Sequence, residues 1–166
     1  MENSEVLDHQ QKLIAPKYDI NHIRSKLSQL RKPMVFTNGC FDILHRGHIT
    51  YLEQARNLGG SLVVALNTDA SVRRQNKGGD RPINTLEDRM SVLASLECVD
   101  AVVCFDDDTP LKLIEALLPD HLVKGGDWKI ADIVGGDAVI ANGGQVHSID
   151  FKFNRSTTSL LNRIRS

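Results

Sequence analysis

Two histidines three residues apart, His45 and His48, stand in the stretch Phe36-Thr37-Asn38-Gly39-Cys40-Phe41-Asp42-Ile43-Leu44-His45-Arg46-Gly47-His48, which runs from an apolar strand-like segment into a helix-like one. In a first helical turn, side chains three apart project from one face. Imidazoles placed there, beside unpaired backbone N–H groups and the positive end of the helix dipole, suit an oxyanion such as the α-phosphate of a triphosphate. Gly39 and Gly47 let a ligand approach the backbone. The same residue types also serve as capping or surface histidines. With Cys40 and Asp42 they would make a metal site, although an i, i+3 histidine pair without a third well-spaced ligand is weak ground for zinc.

Further polar clusters fall where a phosphate enzyme needs them. Arg73-Arg74-Gln75-Asn76-Lys77-Gly78-Gly79-Asp80-Arg81-Pro82 puts four cations in a Gly-rich segment, suited to folding positive charge over a bound phosphate or to a solvated loop. Lys124-Gly125-Gly126-Asp127-Trp128 follows an apolar run, with Trp128 either a lid or a packing residue. Asn67-Thr68-Asp69 reads as a ligand-facing cluster or as a helix N-cap. Arg155-Ser156-Thr157-Thr158 opens the last helix, where hydroxyls and free N–H groups suit the leaving phosphates of a triphosphate; an ordinary cap would need one hydroxyl only. Arg89 reads as a ligand for an acceptor's phosphate or as an exposed helix pair with Glu87 or Asp88. Asp106-Asp107-Asp108 precedes Thr109-Pro110, and reads as an acidic turn complementing the next helix more simply than as a metal cluster.

The elements that position these groups alternate. Apolar runs at 34–37, 62–66, 101–105, 121–123 and 146–149 are separated by helical patterns, as expected of parallel strands buried on both faces. The architecture expected is α/β: a Rossmann-like, doubly wound parallel sheet of about five strands with flanking helices, in a single domain. Ile20, Ile23, Leu27 and Leu30 make an apolar helical stripe, a helix from Ile49 stops at Gly59-Gly60, and Thr85 caps one running to Leu96. Gly135-Gly136 and Asn142-Gly143-Gly144 read as punctuation. Residues 1–18 are expected to be a flexible N-terminal segment and 19–166 the catalytic domain.

At 166 residues, 41% apolar and 25% charged, the chain has the balance of one globular domain. A net charge of −1 argues against a nucleic-acid-binding protein, and no apolar run is long enough to span a bilayer. Without a signal-peptide pattern or a CxxC pair among Cys40, Cys98 and Cys104, a cytoplasmic location and free thiols are expected.

The HxGH signature after a first strand resembles the nucleotidylyltransferase superfamily. Together, NGCFDILHRGH, LNTDASVRR, RPINTLEDRMSVLASLECVD, DDDTPLKLIEALLPDHLVKGGDW and NRSTTSLLNRI closely resemble the D-glycero-β-D-manno-heptose 1-phosphate adenylyltransferases, over residues 33–165. That resemblance implies transfer of AMP from ATP, with Mg²⁺ on the triphosphate, to the heptose 1-phosphate. ADP-heptose for lipopolysaccharide or surface glycan and pyrophosphate are the products. It implies His45, His48, Lys77 and Lys124 as catalytic, and Thr37, Asn38, Gly39, Phe41, Gly47, Asn67, Gly125, Asp127, Ser156, Thr157 and Thr158 as nucleotide-binding. Asp42, Arg81 and Arg89 would meet the acceptor, with Asp42 alternatively orienting waters of the metal. A separate heptose kinase and a homo-oligomer are further implications. The rival readings are a cytidylyltransferase acting on glycerol 3-phosphate or a similar small phosphate, and a nucleotide-binding module without turnover.

Overall fold

The apolar runs become the strands of one sheet in a computed structural model that describes residues 9–13, 19–75, 80–153 and 156–166. In chain order the elements are α1 (Ile20–Leu27), β1 (Met34–Gly39), α2 (Arg46–Arg56), β2 (Ser61–Asn67), α3 (Asp69–Arg74), α4 (Leu86–Ala94), β3 (Ala101–Phe105), α5 (Leu111–Leu117), β4 (His121–Gly125), α6 (Gly136–Ala141), β5 (Gln145–Ile149) and α7 (Thr157–Arg165). All four strand pairings are parallel, in the order β3-β2-β1-β4-β5. The chain therefore winds outward from β1 to β3, then crosses back to β4. This leaves a switch point between the carboxyl ends of β1 and β4, where such sheets bind ligands.

Alternation along each strand feeds two cores. Phe36, Ala65, Val103 and Leu122 pack with Ile23, Leu113, Ile114 and Val139 beneath α1, α5 and α6. Val35, Val64, Val102 and Val123 pack with Leu52, Ala55, Met90 and Leu93 beneath α2 and α4. Burial on both faces explains the continuous apolar strands, and β2 is buried along its whole length. Met34 N–H donates to the Asp120 carboxylate over 2.6 Å, and Lys32 pairs with the same group, which anchors the amino end of β1.

Caps fall where residue chemistry directs. Thr85 Oγ1 accepts from the Asp88 N–H, Thr68 Oγ1 from that of Ser71, and Ser156 Oγ from that of Ser159. The helix expected from Ile49 begins at Arg46, since His45 is its N-cap. Three short elements had no sequence counterpart: α6, entered through Gly135 at φ 79°, and 3-10 turns at His9–Lys12 and Ile130–Asp132.

Within the N-terminal stretch 1–18, His9–Lys12 forms a 3-10 turn, Lys12 is buried with its ammonium donating to the Leu96 carbonyl, and Leu13 makes a parallel bridge to Val102 on β3. Residues 1–8 and 14–18 lie outside the described residues. Among the described residues, no helix is long and apolar enough to cross a membrane.

Candidate active site

β1 ends in a sharp turn that delivers the histidines. Phe41 adopts φ 46°, a left-handed conformation that costs a bulky residue of the order of 1–3 kcal/mol and marks a constrained site. Its ring folds back over Gly39, where a Cβ would sit only 2.8 Å from the ring. The turn places the start of α2 at the switch point, where the Gly47 N–H is taken up by His45 Nδ1 and the His48 N–H by the His45 carbonyl.

The two imidazoles stack with centroids 3.9 Å apart. His45 Nδ1 accepts from the Gly47 N–H at 3.1 Å, and His48 Nδ1 accepts from the His45 N–H at 3.4 Å. With Nδ1 accepting, the neutral tautomer of each ring carries its proton on Nε2. Burial, reinforced by the neighbouring His45, pushes the His48 pKa down to about 4. His48 is therefore a neutral N–H donor near pH 7, able to stabilise an anion without competing as a cation for protons.

His48 borders two adjoining hollows. One, a bay of about 400 Å³, is also bounded by Cys40, Phe41, Asp42, Arg81, Thr157 and Thr158. The other, about 110 Å³, is lined by Asn38, Gly39, Tyr51, Lys124, Gly125 and Phe151. The start of α7 thus faces the start of α2 across one bay. Thr157 Oγ1 donates to the Ile43 carbonyl at that start, and Arg165 at the opposite end of α7 pairs with Asp80. Ser156 performs the plain capping role, and Thr157 and Thr158 reach the bay. Leu160 and Leu161 are half-buried, whereas Ile164 of the same stripe is exposed.

Several expected ligands have internal duties. Asp42 and Arg81 form a buried ion pair, with Arg81 Nε donating to Oδ2 over 2.6 Å; the carboxylate also accepts the N–H groups of Ile83 and Asn84. Arg89 is not on an exposed face beside Glu87 and Asp88. It is buried and donates to the carbonyls of Asn84, Cys40 and Asn67 and to the Asp69 carboxylate, bracing the ends of β1 and β2. Thr37 is also buried, its hydroxyl 2.5 Å from the Tyr51 hydroxyl. Asp42 and Arg81 also border the bay, so this ion pair lies on its wall.

The acidic run ties three elements together, and only Asp107 contacts α5. Asp106 bonds Thr68, Asp108 pairs with Arg74, and Asp107 pairs with Lys112. Among the described residues no three His, Cys, Asp or Glu side chains are grouped to hold a metal. Lys77 and Arg155 lie outside the described residues. Gly47 is buried inside α2, and Asp127 is exposed in the turn after β4.

Sequence reasoning missed Tyr51 and Phe151. Phe151 lies on Gly125, where a Cβ would meet its ring at 2.7 Å, and packs with Tyr51 and His48. Two phenylalanines, Phe151 and Phe153, in the short polar β5–α7 link were the available signal. On the other side of the sheet a third hollow, about 150 Å³, is bounded by Asn38, Asn67, Thr109, Lys124, Trp128 and Asp132 among others. Trp128 stands at its rim, its indole N–H donating to the Gly125 carbonyl and its backbone N–H to Ser148 Oγ. A larger cleft of about 550 Å³ between α1 and α5 contains Met34, at the amino end of β1, and none of the groups expected to do chemistry. Strand ends and helix starts, not volume, identify the site.

Residues 36–147 match the cytidylyltransferase-like family. The chain is 56% identical over 137 residues to D-β-D-heptose 1-phosphate adenylyltransferase of Bordetella bronchiseptica, covering 82% of this chain and 85% of that one. It is 57% identical over 133 residues to the bifunctional protein HldE of Shewanella amazonensis, a match covering 80% of this chain but only 28% of that much longer protein. Among solved structures, the lipopolysaccharide core biosynthesis protein of Thermoplasma volcanium aligns with a TM-score of 0.60 at 27% identity, over 74% of this chain and 98% of that one. Pantoate-β-alanine ligase of Francisella tularensis aligns at 0.57 with 15% identity, over 84% of this chain and 67% of that one, which shows a shared fold.

Proposed function

Because the chain belongs to the D-β-D-heptose 1-phosphate adenylyltransferase family of cytidylyltransferase-like nucleotidyltransferases, we propose that it transfers AMP from ATP to D-glycero-β-D-manno-heptose 1-phosphate. An oxygen of the sugar phosphate attacks the α-phosphorus in line, the bond from that phosphorus to the α,β-bridging oxygen breaks, and pyrophosphate leaves. ADP-heptose is the other product. The observation that carries this reading is the meeting of two helix starts, α2 with its stacked histidines and α7 with its threonines, on one bay at the switch point.

In this assignment the Nε2–H groups of His48 and His45 donate to the α-phosphate as charge grows on it. Lys124 approaches from the end of β4, and Lys77 is proposed to add charge from the segment after α3. Thr157, Thr158 and the first N–H groups of α7 receive the leaving pyrophosphate. Asn38, Gly39, Gly125 and Phe151 border the nucleotide. Asp42 has both carboxylate oxygens engaged and acts by holding Arg81. Mg²⁺ bound to the triphosphate would supply charge neutralisation.

A heptose kinase would furnish the acceptor, and the parts of the HldE proteins outside the match are the natural comparison for that step. A homo-oligomer and a cytoplasmic location are consistent proposals, the first tested by light scattering. The deciding assay is pyrophosphate release with Mg²⁺ and ATP or CTP, with heptose 1-phosphate or glycerol 3-phosphate. Release confined to ATP with the heptose phosphate is expected; preferential use of CTP would overturn the assignment.

A further inference from the structure

Of the residues expected to meet the acceptor, Asp42 and Arg81 pair with each other on the wall of the bay and Arg89 is buried, which favours a further seat for the sugar. Side-chain alternation locates one. Asn38, Asn67 and Lys124 each lie two residues beyond a member of the α1/α5/α6 core, namely Phe36, Ala65 and Leu122. They therefore emerge on the α5 face of the sheet. Gly125 follows Val123 of the opposite core, on the face where α2 lies. The 150 Å³ hollow opens on the α5 face, and Asn38 and Lys124 border both it and the hollow containing His48. These two side chains thus connect the clefts across the gap between β1 and β4.

In-line displacement requires the nucleophile to enter opposite the leaving group. With pyrophosphate leaving toward the start of α7, on the α2 side, the nucleophile must arrive from the α5 side. The lining there suits a phosphorylated polyol. Lys124 can meet a phosphate; Asp132, Thr109 and Asn38 can bond hydroxyls; and Trp128, tethered at both its N–H groups, presents an apolar rim to a sugar's C–H face.

The geometry points to this α5-face cleft as the binding site for the sugar 1-phosphate, with Trp128 and Asp132 as acceptor-specificity residues. This inference rests on the AMP-transfer reading for the identity of the acceptor. Its test separates the two, because Trp128 is the only tryptophan in the chain. With saturating Mg²⁺ and α,β-methylene-ATP, which blocks transfer, titration with heptose 1-phosphate should shift tryptophan emission. Asp132→Asn should move that titration to roughly 10-fold higher concentration or more, as expected for loss of a charge-assisted hydrogen bond. In turnover, Asp132→Asn and Trp128→Phe should raise KM for the heptose phosphate and leave KM for ATP within about 2-fold. Absence of an emission shift, or an Asp132→Asn titration indistinguishable from wild type, would overturn the cleft assignment. An emission shift without pyrophosphate release from wild-type enzyme and true ATP would keep the cleft and remove the transfer reading.

Discussion

The two sides of the β1/β4 switch point are built from different materials. The α2 side offers neutral donors around one internally paired ion pair: stacked imidazoles with Nε2 protons and the threonines of α7, beside Asp42 and Arg81. The α5 side offers charged and amide side chains around a tethered indole. The first composition suits phosphates whose charge changes during reaction, because fixed dipoles stabilise charge without reorganising. The second suits a ligand identified by its hydroxyls. Chemistry and selection are thereby assigned to opposite faces of one sheet.

Removing a donor from the α2 side should have the largest effect. His48→Ala is expected to lower kcat by about 100- to 1000-fold with little change in KM for the sugar phosphate. Steady-state kinetics with wild-type-like kcat would remove His48 from its role and the contrast with it. Of comparable size, Arg89→Met should destabilise the fold by about 3–5 kcal/mol, because it strands the partly buried Asp69 carboxylate and the carbonyls of Cys40, Asn67 and Asn84. Urea unfolding checks this, and an unchanged midpoint would mean that the brace is dispensable to both faces.

A pH series sharpens the same comparison. His48 has a folded pKa of about 4, below its ordinary 6.5, so the folded state binds this proton less readily than the unfolded chain. Its contribution leaves stability unchanged above about pH 6.5 and lowers it progressively as pH falls toward 4. The His48 Cε1 proton resonance should titrate near pH 4, with no inflection near 6.5. The smallest effect concerns thiols that line neither cleft. Burial raises the pKa of Cys98 and Cys104, so each should react with a disulfide reagent more slowly than a free cysteine in the unfolded chain. Fast labelling of either in the native protein would contradict that burial.

The α2 side was legible in the sequence because its chemistry is contiguous: thirteen successive residues carry the end of β1, the turn and both histidines. The strands were legible too, since burial on both faces writes them as unbroken apolar runs. Charged residues were harder. Asp42 and Arg81 are separated by 39 positions yet form one buried pair, and Arg89 collects acceptors from β1, β2 and α3. Nothing in the local pattern around Arg89 distinguishes an interior brace from an exposed helix pair. The α5-side cleft draws on strand ends, the α5 entry and the 3-10 turn after Trp128, so its coherence exists only in three dimensions.

The contact of Leu13 with Val102 has a consequence beyond local packing. β3 is the outermost strand on its side, and an outermost strand presents unanswered amides and carbonyls on which a foreign strand can grow. Here the same chain supplies a short parallel partner, secured by a lysine whose ammonium is tied to the carbonyl of Leu96. The molecule thus covers part of that edge with its own chain, on the side of the sheet farthest from β5.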